Sequence, residues 1–371
     1  MLSSPIASRM AGVSQYAREH GWHLMFQDRM GFAHPFDWTG DGVVATIRDE
    51  PRSLAFLRRL AGRHVPIVDL TFDVPAFPCA RVSADHQAAG RLAAAHFADR
   101  GFRSRVFFSL DWGAVQERLW RGFTESAPAA KWCFASERPH VRWNDWDAVT
   151  RWLADKFAAA GKPLGALTYS QGEAARLLAA AQSVGISVPD EFGIVAGNDD
   201  PVLLENQPVP ISAVDTDLER AAYEAAALLD RLMAGEPPPP VREMPPRGIV
   251  ARRSTDATVA SDPLVAAALR LLRENLSRPF GPAQLADALG VSRGTLDRRF
   301  TAELGRTASD EIRRQRLDVA KRLLRETNLP VAEIAAQSGF SSPSHLGAIL
   351  RQEFGVTPNQ WRKSDILNIK I

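Results

Sequence analysis

Two stretches near the C-terminus carry side chains suited to reading DNA. In "SRGTLDRRF" (292–300), Leu296 and Phe300 share one helical face, which leaves Arg293, Gly294, Asp297 and Arg298 on the other. Arginine can donate twice to guanine O6 and N7, and aspartate can accept from cytosine N4. Arg293 and Arg299 suit phosphate oxygens, which give affinity without sequence information. In "SPSHLGAIL" (342–350) the corresponding positions are Ser344, His345 and Ala348. Only Ser344 and His345 offer hydrogen bonds there, so weaker base discrimination is expected. The plain alternative for each arginine is an exposed, merely solubilising side chain.

A second set of residues suits a small polyhydroxylated molecule. Asn198 and Asp199 follow the apolar run "FGIVAG", Asp69 follows "VPIV", and Arg118 lies in "QERLWRGF" after "RVFFSL". Asp85 precedes a helix, and Trp146 lies in "WNDWDA". Asp, Asn and Arg can satisfy sugar hydroxyls, while an aromatic face suits the C–H side of the ring; sites rich in hydrogen bonds discriminate strongly. Trp146 could instead be core, and Asp85 a helix cap. No HExxH, GxSxG, P-loop or CxxC pair is present. Asp199 and Asp200, adjacent on an extended chain, would point apart. The expectation is a non-enzyme with no catalytic residue, metal or cofactor.

The elements that must hold these groups are legible. Around each DNA-facing stretch a small residue (Ala286, Ala335) precedes a glycine by four positions (Gly290, Gly339). The small residue allows close helix approach, and the glycine allows positive φ in a tight turn. Ser292, and Ser341 or Ser342, can cap the next helix, and Pro343 suits a first helical turn. Leu285, Leu289, Val291, Leu296 and Phe300 would form a small core. This is a helix-turn-helix layout, repeated in register. Between the copies, 308–327 reads as a helix of about 30 Å at ~1.5 Å per residue, close to the ~34 Å of one DNA turn.

Upstream, "DGVVATI", "VPIVDL", "RVFFSL", "LGALTY" and "FGIVAG" read as buried parallel strands, alternating with amphipathic helices such as "RSLAFLRRLAGR" and "GEAARLLAAAQSVG". That alternation means an α/β fold. "GEPPPPVREMPPRG" reads as a stiff turn, after which "RGIVARR" can pair as a last strand. At 371 residues the chain needs more than one core. Hydrophobic residues at 45% and charged at 24% describe a globular chain. Cys79 and Cys133 make no disulfide framework. With no export signal or bilayer-length apolar run, a cytoplasmic protein is expected. Residues 262–363 carry 16 Lys and Arg against 11 Asp and Glu, whereas the remainder is slightly acidic. A basic tail suits nucleic acid.

"VSADHQAAGRLAAAHFADRGFRSRVFF", "VPDEFGIVAGNDD" and "PPRGIVARRST" resemble a LacI-type, periplasmic-binding-protein-like ligand domain. "GFSSPSHLGAILRQEFGVTPNQWR" resembles the double helix-turn-helix of the AraC family. The pairing is similar to xylose-operon regulators of the XylR type. That resemblance implies an α/β two-lobed periplasmic-binding-protein-like domain followed by an all-α double helix-turn-helix domain. It implies a ligand domain at 1–256, with lobes of about 1–82 plus 214–247 and about 83–213 plus 248–256. A linker at 257–262 and a DNA-binding domain at 263–364 follow. It places Gly294, Asp297 and Arg298 at base-reading positions. It implies a homodimeric activator of pentose (xylose) genes that contacts double-stranded DNA, a sugar effector and RNA polymerase, with no membrane partner. The alternative is a regulator of the same architecture sensing another sugar or small metabolite. Three departures stand out: a first strand before "SSPIASRMAG" is missing, which predicts an exposed sheet edge at "DGVVATI" and a late start; Ser170 replaces a cleft asparagine; Gly347 and Ala348 replace Ser-Arg.

Overall fold

All five apolar runs form strands, and the strand residues within them are buried on both faces, as parallel strands covered by helices must be. The computed structural model describes residues 2–3, 7–26, 38–138, 140–142, 144–239, 241–256, 259–260, 262–278 and 280–363. The chain divides into two units, residues 1–98 with 102–257, and residues 99–101 with 258–371. Of the expected linker, residues 257, 258 and 261 lie outside the described residues.

In the first unit, one sheet holds β1 (Leu2–Ser3), β2 (Val43–Ala45), β3 (Ile67–Asp69), β4 (Ala80–Ala84) and β10 (Arg242–Met244), in that order and all parallel. The other runs β11 (Gly248–Val250), β9 (Ser212–Asp215), β8 (Phe192–Ala196), β7 (Leu164–Thr168), β5 (Ser104–Ser109) and β6 (Ala130–Cys133). Only β11 there is antiparallel. The helices are α1 (Ala7–Glu19), α2 (Pro51–Gly62), α3 (His86–Asp99), α4 (Ala114–Thr124), α5 (Phe134–Glu137), α6 (Trp146–Ala159), α7 (Gln171–Ser183), α8 (Pro201–Leu204) and α9 (Leu218–Met233).

Each sheet with its helices is one lobe. Alternate residues of β2 serve opposite faces: Val44 packs with Val13, Val68 and Leu229, while Val43 and Ala45 pack with Leu57, Leu60 and Ile67. α1 lies tightly on α9, because a Cβ on Gly12 would come 2.0 Å from the Glu219 carbonyl oxygen. The chain crosses between lobes after Ala84, after Asp215, and between Met244 and Gly248. The first two crossings fall two residues later than the sequence reading, because β4 and β9 stay in their sheets to the last ladder residue.

Two expectations are corrected. A first strand exists: Leu2 and Ser3 pair with Val44 and Ala45, so the β2 edge is covered. The proline-rich segment is more than a turn, since Arg242–Met244 pairs with Val82–Ala84. Its non-proline N–H groups supply the ladder that the flanking prolines cannot.

The second unit contains α10 (Pro263–Asn275), α11 (Pro282–Ala288), α12 (Arg293–Leu304), α13 (Ala308–Glu326), α14 (Val331–Gln337), α15 (Pro343–Phe354) and α16 (Pro358–Lys363). α11–α12 and α14–α15 are the two helix-turn-helix copies. Gly290 (φ 65) and Gly339 (φ 78) make their turns in the left-handed region. Ser292 caps α12 through the Thr295 N–H at 3.1 Å, and Ser342, not Ser341, caps α15 through the His345 N–H. Each copy has its own core. Leu285, Leu296 and Phe300 are fully buried in the first, and Ile334, Leu346 and Leu350 in the second. Among the described residues no helix is long and apolar enough to cross a membrane.

Candidate ligand cleft and nucleic-acid interface

A two-lobed α/β unit offers a ligand the crevice beyond the carboxyl ends of its strands. Several of the residues expected there have structural work instead. Asp69 is fully buried. Its Oδ1 accepts from the Ile47 and Thr71 N–H groups and the Thr71 hydroxyl, and its Oδ2 accepts from Arg81 Nε at 3.0 Å. Burial raises its pKa, and those donors pull the other way. The carboxylate thus ties the end of β3 to the β2 exit.

Asp199 is also committed, gripping Arg252 with both oxygens at 2.8 and 3.2 Å. Arg252, buried to 6% exposure, reaches Glu205 as well. This ion-pair trio fastens the chain just beyond β11 to the second lobe. Asn198 donates to the Tyr169 carbonyl and accepts from the Thr216 hydroxyl at 3.0 Å, which couples the ends of β7, β8 and β9. Asp85 caps α3 through the Ala88 N–H. Asp200, the neighbour of Asp199, caps α8. Trp146 is 46% exposed at the start of α6, with the Arg176 guanidinium over its ring at 4.8 Å. Ser170 is the N-cap of α7, in a capping box with the buried Glu173.

Arg118 does reach the crevice. From α4 of the second lobe it pairs with Glu243 on β10 of the first and lies over the Phe72 ring at 4.7 Å. Around it stand groups that sequence reasoning missed. Arg9, in the first turn of α1, is 5% exposed and donates to the Thr46 hydroxyl beyond β2 at 3.3 Å. Burial lowers its pKa, Tyr169 beyond β7, Asp69 at the end of β3 and Asp73 beyond it act to raise it, and Arg48 acts to lower it. His86, the first residue of α3, meets the Tyr169 ring edge-on at 5.9 Å, and its Nδ1 has no hydrogen-bond partner. The signal that could have found them is position: each follows a strand or opens a helix on the carboxyl side of a sheet.

Burial, then the charges of Arg9 and Arg118, depress the His86 pKa to about 3. The unfolded chain, with an ordinary value of about 6.5, therefore takes up a proton first as pH falls. Stability present above the unfolded value is lost as pH drops from there toward the folded one. Between pH 7 and pH 5 this group should cost about 2 kcal/mol. Urea unfolding at both pH values should show His86→Gln losing that much less than the parent; parallel losses would remove His86 as the cause.

On the second unit, α12 turns Arg298 outward with no ion pair or side-chain hydrogen bond among the described residues, and Gly294 is exposed beside it. Asp297 is half-buried, and its Oδ1 accepts the Ala308 N–H that opens α13. Its other oxygen lies 3.8 Å from Arg293. Arg299 points back to Asp262, the N-cap of α10, at 2.8 Å. Asp297 and Arg299 are thus partly spent on joining helices rather than held free for DNA. On α15, Ser344 is exposed, and His345 is exposed with its Nδ1 3.1 Å from the Ser341 hydroxyl. Gly347 is buried near Pro358, so only Ala348 of that pair lies on the outer face.

A periplasmic binding protein-like domain model matches residues 94–255, and a helix-turn-helix domain model matches 285–364. The chain is 26% identical over 370 residues to the xylose operon regulatory protein of Escherichia coli K12, covering 95% of this chain and 92% of that one. Over 103 residues it is 39% identical to a putative AraC-like transcription regulator of Streptomyces lividans, covering 28% of this chain and 34% of that one. A solved structure described as the xylose-binding transcription activator xylR superposes with TM-score 0.59 at 24% identity, over 99% of this chain and 98% of that one.

Proposed function

We propose that this chain, whose architecture is of the XylR type, is a sugar-responsive DNA-binding transcription regulator that activates genes for use of a pentose-class sugar. The observation that carries this reading is the joining, in one chain, of a two-lobed crevice with two helix-turn-helix copies. Pentose and activation are favoured by what the relatives are called, a xylose operon regulatory protein and a xylose-binding transcription activator. A homodimer that engages RNA polymerase is part of the same proposal. Calorimetry of the full chain against pentoses and hexoses, with footprinting on its own upstream DNA, tests it. Absence of both sugar binding and a protected site would sink it.

The hinge runs through the three crossings, and Arg118 bridges the two lobes through Glu243. An effector closing the lobes shifts the equilibrium only by its differential affinity for open and closed forms. By linkage, DNA must change sugar affinity by the factor with which sugar changes DNA affinity.

For DNA, Arg298→Ala is expected to cost roughly 1–3 kcal/mol and relax preference at one base position. Arg299→Ala removes a contact made inside the protein and should leave base preference as it was. Binding to a panel of single-base site variants distinguishes the two; unchanged affinity and preference in Arg298→Ala would show that Arg298 reads no base.

A further inference from the structure

We propose that the effector carries an anionic group, a carboxylate or a phosphate, seated between Arg9 and Arg48 of the first lobe and the His86–Tyr169 pair of the second. This deepens the sugar-sensing reading and rests on it. Arg9 is 5% exposed, yet among the described residues its side chain has one hydrogen bond, 3.3 Å to the neutral Thr46 hydroxyl, and no carboxylate in ion-pair range. A buried cation without a bonded counter-charge is costly unless something supplies one. Its neighbours do not. Asp69 is taken by Arg81, and Glu243 by Arg118. Asp69 and Asp73 act on Arg9 from beyond bonding distance, while Arg48, exposed just beyond β2, adds a second positive charge.

Two further features point the same way. Arg9 stands in the first turn of a thirteen-residue helix that has no acidic residue there, so the helix dipole adds to its field. His86, 3% exposed, holds an unpartnered Nδ1 near Arg9 and Arg118. A neutral imidazole can donate from that nitrogen or accept there, according to its tautomer. A neutral sugar could occupy some of these donors but would leave the excess charge in place. A planar carboxylate or a phosphate can take two guanidinium N–H groups at once and neutralise it.

The test is calorimetry of the full-length protein with D-xylose, D-xylonate and D-xylose 5-phosphate. One of the two anions should bind roughly tenfold or more tightly than xylose, the gain of one charge-assisted contact. Whichever wins tells carboxylate from phosphate. Arg9→Gln should collapse that ratio toward one, and Arg9→Lys should retain part of it. Arg48→Gln, on an exposed side chain, keeps the test open should Arg9 variants misfold, and should lower the ratio too. Xylose binding as tightly as both anions, or a ratio indifferent to Arg9→Gln and Arg48→Gln, overturns the anionic effector while sparing the sugar reading. Binding of none of the three overturns the anionic effector and leaves the sugar reading to the pentose and hexose panel.

Discussion

Asp69→Ala is expected to destabilise the first unit by about 3–5 kcal/mol, the cost of leaving one partner of a buried ion pair alone. Arg81 would keep its carbonyl acceptors at Val74 and Phe77 but lose its carboxylate, and the Ile47 and Thr71 N–H groups would lose their acceptor. The measurement is urea unfolding followed by tryptophan fluorescence. A residue that merely touched effector would instead lose binding at unchanged stability, and that outcome would return Asp69 to the cleft.

Asp199→Ala is expected to act in the same way, with a loss of about 3 kcal/mol, because Arg252 is buried and would keep only the more exposed Glu205 as a carboxylate partner. Asp199→Leu combined with Arg252→Met should recover much of it, since replacing a buried pair with apolar side chains removes both charges together. Thermal unfolding of the single and double variants, alongside effector titrations, decides the matter. A double variant no more stable than Asp199→Ala would show that the loss does not come from a stranded charge.

Both variants replace residues that the sequence singled out as effector ligands and that the fold engages in ion pairs. An aspartate after a strand is equally suited to a sugar hydroxyl and to a neighbouring arginine, and only the fold brings Arg81 within 3.0 Å of Asp69 or Arg252 within 2.8 Å of Asp199. Arg118 was legible because it lies on the helix that follows β5, whereas Arg9 was not, because its neighbours Thr46, Asp73 and Tyr169 are scattered along the chain.

The helix-turn-helix pair was readable in full because its determinants are local. A small residue, a positive-φ glycine and a capping serine sit within seven positions of one another, and period-3.6 burial follows from them. The strand–helix alternation was readable for the same reason: buried parallel strands announce themselves as continuous apolar runs. What composition and spacing alone determined is therefore the α/β unit, the doubled helical tail and the outward face of α12. The tertiary structure decided which polar groups remain for a ligand. Arginine partners 12 and 53 residues away claimed Asp69 and Asp199, and the same folding left Arg9 buried with one weak acceptor among the described residues. Charge pairing depends on distance in space, and local sequence does not encode it.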